Sequence, residues 1–165
     1  MSEKLVIVPK KPSTARKFVR TFLFVLACIF FLGATFLSPM LFFAPAIIVT
    51  ALWAWQAFYS NIEFEYTYYD GDLVFAKIKN KAKRKKIAAI DMNEVFICAP
   101  KGDRALYKYE NDSNIKCKKL LSGQENVKIY GLVTKSDEAI TRYEFEPDEE
   151  FIDAMRVKYP QIVIK

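Results

Sequence analysis

Thr21 to Tyr59 reads TFLFVLACIFFLGATFLSPMLFFAPAIIVTALWAWQAFY, thirty-nine consecutive residues without a charged side chain. As one helix this run would extend about 58 Å, at about 1.5 Å per residue, whereas the hydrocarbon core of a bilayer is about 30 Å thick. One crossing cannot use it. Ser38 and Pro39 fall near its middle, and proline removes a backbone donor and restrains the residue before it, so a break stands where two crossings need one. The stretch therefore predicts a hairpin of two membrane helices within residues 18–59, the first over 18–37 and the second over 40–58. Pro45 falls in the early turns of the second helix, where a kink is tolerable. Trp53, Trp55 and Tyr59 sit near its exit, where amphipathic rings favour the headgroup zone. A cleaved signal peptide is the main rival, with Ala44-Pro45-Ala46 as its cleavage site. Thr21 to Phe43 is too long for the roughly 7 to 15 residues of a signal core.

Outward from the hairpin, the net charge of +6 separates into two parts. Residues 1–20 hold six Lys and Arg against Glu3, while residues 61–165 hold nineteen against eighteen acids. Most of the basicity is topological, because Lys10, Lys11, Arg16, Lys17 and Arg20 flank the first helix and cations beside a span favour the cytoplasmic side. Both termini are expected in the cytoplasm of a multi-pass cell-membrane protein. Residues 1–17 read as a basic cytoplasmic leader, a loose tail that sets topology. Its strand-like piece, Leu5 to Val8, offers an alternative in which it pairs with an edge of a later sheet.

After the hairpin the apolar run gives way to alternation. Ile62, Phe64, Tyr66 and Tyr68 point one way and Glu63, Glu65, Thr67 and Tyr69 the other, the two-residue period of a half-buried strand. Asp70-Gly71 marks a hairpin turn, since glycine accepts the positive φ such turns require. Further strands are predicted at Leu73–Lys79, Ile87–Ile90, Val95–Ala99, Ala105–Glu110, Ile115–Leu120, Val127–Thr134 and Ile140–Phe145, separated by polar turn material and mostly antiparallel. Glu146-Pro147-Asp148-Glu149-Glu150 then places proline and acids at a helix start, and Phe151, Ile152, Met155 and Tyr159 form an apolar stripe at helical spacing. Gln161 to Lys165 alternates and reads as a short final strand. Residues 60–165 thus make one cytoplasmic domain, mainly β within the α+β class.

The order of parts resembles the bacterial pleckstrin-homology-like (PH-like) domains attached to pairs of transmembrane helices, and a group of uncharacterised two-span bacterial membrane proteins. The resemblance is carried by the opening EFEYTYYDGDLVFAKI, by the basic stretch leading into KKIAAIDMNEVFICAP, and by the closing FEPDEEFIDAMRVKYP. It implies an antiparallel β-barrel or sandwich of about seven strands capped by one C-terminal helix. Its motifs are structural and name no ligand, and fold alone does not transfer the lipid recognition of some eukaryotic relatives.

The most distinctive polar feature is KIKNKAKRKK, with Lys77, Lys79, Lys81, Lys83, Arg84, Lys85 and Lys86 within ten residues. A solvated turn is the bland reading. The sharper one is contact with anionic lipid headgroups, at about 1 kcal/mol per cation near such a surface. Nucleic acid is not expected, because the rest of the soluble part is net acidic. The acids Asp137, Glu138, Glu144, Glu146, Asp148, Glu149, Glu150 and Asp153 cluster around a helix start, which already accounts for them. Tyr66, Tyr68, Tyr69, Tyr107 and Tyr109 read as core and cross-strand packing before they read as a binding platform. With no histidine and three scattered cysteines, Cys28, Cys98 and Cys117, there is no metal-ligand spacing, nucleophile elbow or phosphate loop. The expectation is a membrane-integral, non-catalytic interaction or scaffolding module without cofactor, whose partners are the bilayer and an unidentified protein. The alternative is an accessory subunit of a membrane enzyme or transporter complex. Transport by the two spans alone is disfavoured, since no charged group lies between Arg20 and Glu63.

Overall fold

Asp70 and Gly71 take φ values of 50° and 104°, the left-handed pair that a tight hairpin demands, and fold Ile62–Tyr69 back onto Asp72–Lys79. The computed structural model describes residues 3–58, 61–136 and 139–165. The chain divides into two units, Lys11–Asn61 and a second made of Met1–Lys10 with Ile62–Lys165. Tyr59, Asp137 and Glu138 lie outside the described residues.

The second unit begins with strand β1, Lys4–Pro9. The first unit is helical, α1 over Thr14–Phe36 and α2 over Pro39–Phe58, both long and apolar enough to cross a membrane. Ser13 caps α1 by accepting from the Arg16 amide at 3.4 Å, so the helix starts four residues before the predicted start at Phe18 and carries Arg16, Lys17 and Arg20 in its first turns. The amides of Leu37 and Ser38 both donate to the Gly33 carbonyl, and Pro39 opens α2 at a position where its missing donor costs nothing. The helices meet through small side chains: Ala27, Gly33 and Ala34 of α1 and Ala46 of α2 are buried. A β-carbon on Gly33 would lie 2.8 Å from the Phe42 ring. The large residues turn outward, with Phe18, Phe36, Met40 and Leu41 all more than 70% exposed.

In the strand unit, β1, β2 (Ile62–Tyr69), β3 (Asp72–Lys79) and β4 (Lys83–Asp91) form an antiparallel sheet in that order. A second sheet holds β5 (Val95–Pro100), β6 (Lys116–Lys119), β7 (Tyr130–Ser136) and β8 (Ala139–Phe145) in the order β5-β7-β8-β6. Between β5 and β6 a single helical turn, α3, spans Tyr107–Glu110, and α4 follows β8 over Glu149–Lys158. Asp148 caps α4, its carboxylate accepting from the Phe151 amide at 2.8 Å. Inward residues of both sheets and α4 share one core, with the Phe75 ring in contact with Tyr66, Tyr143 and Phe145, and Tyr66 with Phe145, at 5.3–5.6 Å between centroids. These rings are fully or almost fully buried, so each contributes more than its area alone. The tail bridges the free edge of β5, the Cys98 amide donating to Ile162 O and the Ile164 amide to Cys98 O.

Several expectations are corrected. The leader is not a loose tail: Lys4–Pro9 is the first strand of the first sheet, with Val6 opposite Tyr66 and Val8 opposite Phe64. The helical hairpin is therefore inserted between the first two strands. The sheets do not close into a barrel, since no ladder joins them among the described residues. β6 runs parallel to β8, and the closing residues form a single bridge, Cys98 to Val163, in place of a strand. Ala105–Glu110 is not a strand either. The Asp103 side chain accepts from the Ala105 amide at 2.9 Å and turns the backbone helical, which drops Leu106 into a second small cluster with Ala99 and Val133. Gly131 makes room there, because a β-carbon would stand 2.8 Å from Leu106 Cδ1.

Candidate anionic-surface interface

Strand register decides which way each cation of the run points. Residues directly opposite in an antiparallel pair share a face, so Lys77 lies beside Phe64 and Lys85, and Lys79 beside Ile62 and Lys83. Phe64 belongs to the core, which places these four lysines on the inward face of the first sheet, beyond the end of the packed interior. Asn80 and Lys81 form the turn, each with φ of 56°. The run is thus half strand: β4 begins at Lys83, four residues before the predicted start.

Arg84 and Lys86 belong to the opposite face, opposite Ile78 and Ala76. Arg84 is committed there, ion-paired to Glu65, a carboxylate only 7% exposed that also accepts from the Thr67 hydroxyl at 3.2 Å. None of the six lysines of the run has an ion-pair partner among the described residues, although the strand unit forms seven ion pairs. Like charges directly opposite one another destabilise a sheet by roughly 0.2–1 kcal/mol per pair, and Lys77/Lys85 and Lys79/Lys83 are two such pairs on one face. An anion laid against this face would remove that cost.

One contributor escaped the sequence reading. The Lys10 amide donates to Ile62 O at 2.9 Å, continuing the β1–β2 ladder, and its Nζ lies 5.8 Å from the centre of the Phe64 ring. Lys10 therefore joins the same end of the sheet as Lys79 and Lys83. That end is also where the chain leaves β1 for α1 and re-enters β2 from α2.

The other candidates are taken up by the fold. Glu144, 2% exposed, pairs with Arg142 at 3.3 Å and Lys101 at 3.4 Å, and Glu146 accepts from the Ser122 amide at 3.1 Å. Glu149 pairs with Lys128, Glu150 with Lys4 and Asp153 with Lys165. The Glu150 carboxyl is held below its ordinary value by the hydrogen bond and charge of Lys4. Tyr66 and Tyr68 are core residues, with the Tyr66 hydroxyl donating to Leu120 O, and burial raises both phenols. Tyr69 and Tyr107 are exposed on separate elements, and Tyr109 packs on the small second cluster, so the five tyrosines do not form a platform. Cys28 and Cys117 are exposed, whereas burial pushes the Cys98 thiol up to about 12. Among the described residues no group of three or more acids or cysteines is placed to hold a metal ion.

No curated protein and no solved structure matches the chain. A family model described as a bacterial PH-like domain matches residues 3–165, a span that includes β1, both helices and both sheets. The chain belongs to the bacterial PH-like domain family DUF6106.

Proposed function

We propose that this protein is anchored in the bacterial cytoplasmic membrane by the α1–α2 hairpin and presents its PH-like domain at the inner surface as a non-catalytic interaction and scaffolding module. The basic end of the first sheet lies against anionic headgroups. One observation carries the reading: the end of the sheet that leads to both helices is the end that carries Lys10, Lys77, Lys79, Lys81, Lys83 and Lys85. Three residues separate α2 from β2, and a chain step spans at most about 3.6 Å, so covalent connection alone keeps Ile62 within roughly 15 Å of the last residue of α2. Lys79 is directly opposite Ile62 and Lys83 one strand further, at about 4.8 Å per strand. The outward-facing apolar side chains of both helices support insertion, and Arg16, Lys17 and Arg20 at the start of α1 support a cytoplasmic start. The anchor supplies the attachment. The lysines orient the domain, with a strength that screening over about 8–10 Å reduces at ordinary salt.

Reporter fusions at Met1 and at Lys165 should both report the cytoplasm. An extracytoplasmic report from either end would remove the inner leaflet from the account.

A further inference from the structure

The four outer sheet edges have different fates. The β1 edge ends at Pro9, and its Lys4 is tied to Glu150 of α4 at 2.7 Å. The β5 edge is taken by the tail through Cys98. β4 and β6, like β1, end their sheets with no further strand among the described residues. A cleft of about 250 Å³ opens between them, walled by Ile87–Ile90 of β4, Lys118 of β6, Thr134 and Lys135 of β7, and Tyr143 of β8. The Lys118 ammonium sits 5.2 Å from the centre of the Tyr143 ring and 3.4 Å from its hydroxyl, at the mouth of the open sandwich.

An unpaired edge is a row of backbone donors and acceptors, and charge is the usual means of keeping a second sheet from adding to it. Here the charge is predominantly positive. β4 reads KRKK before its apolar Ile87–Ile90 part, β6 reads KCKK, and Lys135 stands in the cleft wall, while Glu94 is the acid in that wall. In-register parallel pairing with a second copy would set Lys83–Lys86 against lysines again, and the two-fold antiparallel pairing would set all but Lys83, which meets Asp91, against the apolar Ala88–Ile90. A strand carrying carboxylates would meet complementary charge on both sides, and apolar residues between them would meet Ile87 and Ile90.

We propose that this open seam binds an extended acidic segment of a partner protein, which adds as a strand to β4 and sets its carboxylates among the lysines of β4, β6 and β7. This rests on the reading of the domain as an interaction module and not on the headgroup contact. It makes the partner's recognised feature a short stretch alternating acidic and apolar residues. Backbone pairing supplies the affinity and the lysines the choice of charge.

The full chain in nanodiscs of neutral phosphatidylcholine, where no anionic headgroup is present, is titrated with a fluorescein-labelled (Glu-Val)4 peptide and followed by anisotropy. Saturable binding is expected, with hydrogen-exchange protection of residues 87–90. Lys118→Gln together with Lys135→Gln should weaken it by about tenfold or more. Ala89→Asp, on an exposed position of β4, should do the same without touching Lys118. A (Glu-Pro)4 peptide keeps the charge but lacks half the backbone donors, and it should bind at least about tenfold more weakly. Equal binding of the two peptides, or unchanged binding in both variants, would overturn the proposal. So would protection of residues 87–90 by anionic nanodiscs but not by peptide, which would give the seam to the lipid surface. Because the lipid here is neutral, failure of the headgroup contact leaves the result intact.

Discussion

Arg84→Ala separates a structural cation from its neighbours in the basic run. Glu65 is 7% exposed at its side chain and has two partners, Arg84 and the Thr67 hydroxyl. Removing Arg84 leaves a buried carboxylate with one neutral hydrogen bond. Breaking a fully buried pair costs about 3–5 kcal/mol and an exposed one about 0–1. The Arg84 side chain is 58% exposed, so solvent screens its half of the pair and the expected loss falls between those limits, at about 2 kcal/mol. For a domain of about 100 residues that lowers the melting temperature by about 8–16 °C. The assay is a thermal melt of the full chain in detergent micelles, followed by near-ultraviolet circular dichroism of the Tyr66, Phe75 and Phe145 core. In a Glu65→Gln background the same Arg84→Ala change should cost less than about 0.7 kcal/mol, giving a coupling above about 1 kcal/mol. Equal losses in the two backgrounds would refute the pairing and return Arg84 to the lysine patch.

Three other outcomes follow from the same geometry. Lys83→Thr with Lys85→Thr removes both opposed lysine pairs, so it should raise stability by about 0.4–2 kcal/mol in neutral detergent; a loss of stability in the melt would contradict the register. Replacing residues 11–61 by Asn-Gly, to join Lys10 to Ile62 through a two-residue turn, should give a soluble folded domain with native hydrogen-exchange protection in β1 and β2, whereas residues 61–165 alone should lose protection along β2, because that piece lacks its edge strand. The Lys4–Glu150 pair should hold β1 to α4 across neutral pH. Glu150 is depressed below 4.5, so its contribution is present above that value and lost as pH falls through the folded value, while Lys4 is raised above 10.5 and its contribution is lost as pH climbs through its folded value. The melting difference between wild type and Glu150→Gln should therefore be flat between those limits and shrink beyond both; a difference that grows in acid would exclude the pair.

The elements legible in the sequence were those whose cause is local. Ile62–Tyr69 alternates over eight residues and ends in Asp-Gly, and Glu149–Lys158 carries its own cap and apolar stripe, so neither needs a distant partner to be read. β1 is only six residues long, and its partner lies beyond the hairpin, more than fifty residues on, so pairing alone distinguishes it from a tail. Ala105–Glu110 is decided by the Asp103 side chain and by the missing β-carbon at Gly131, the second of which no local pattern contains. Parallel pairing of β6 is equally silent, because four exposed residues look the same in either direction. For the candidate interface the count of cations was plain, but their division was not. The register shift between Phe75 and Ala76, and the burial of Glu65, set Arg84 apart from Lys77, Lys79, Lys83 and Lys85. Lys10 joined them through a ladder that only the fold provides.

The proposal that the basic end of the first sheet faces the membrane is tested most directly by depth. With Cys28→Ala and Cys117→Ser removing the exposed thiols, a single fluorophore is placed at Lys81→Cys or at Asp72→Cys in the full chain, reconstituted with nitroxide-headgroup lipid in anionic nanodiscs. Lys79 and Asp72 bound β3, so the two labels are separated by about 23 Å or more along the sheet, at about 3.3 Å per residue. Strong quenching at position 81 and weak quenching at position 72, with the difference reduced in neutral nanodiscs, is the predicted result. Equal quenching at both positions, or stronger quenching at position 72, would contradict it.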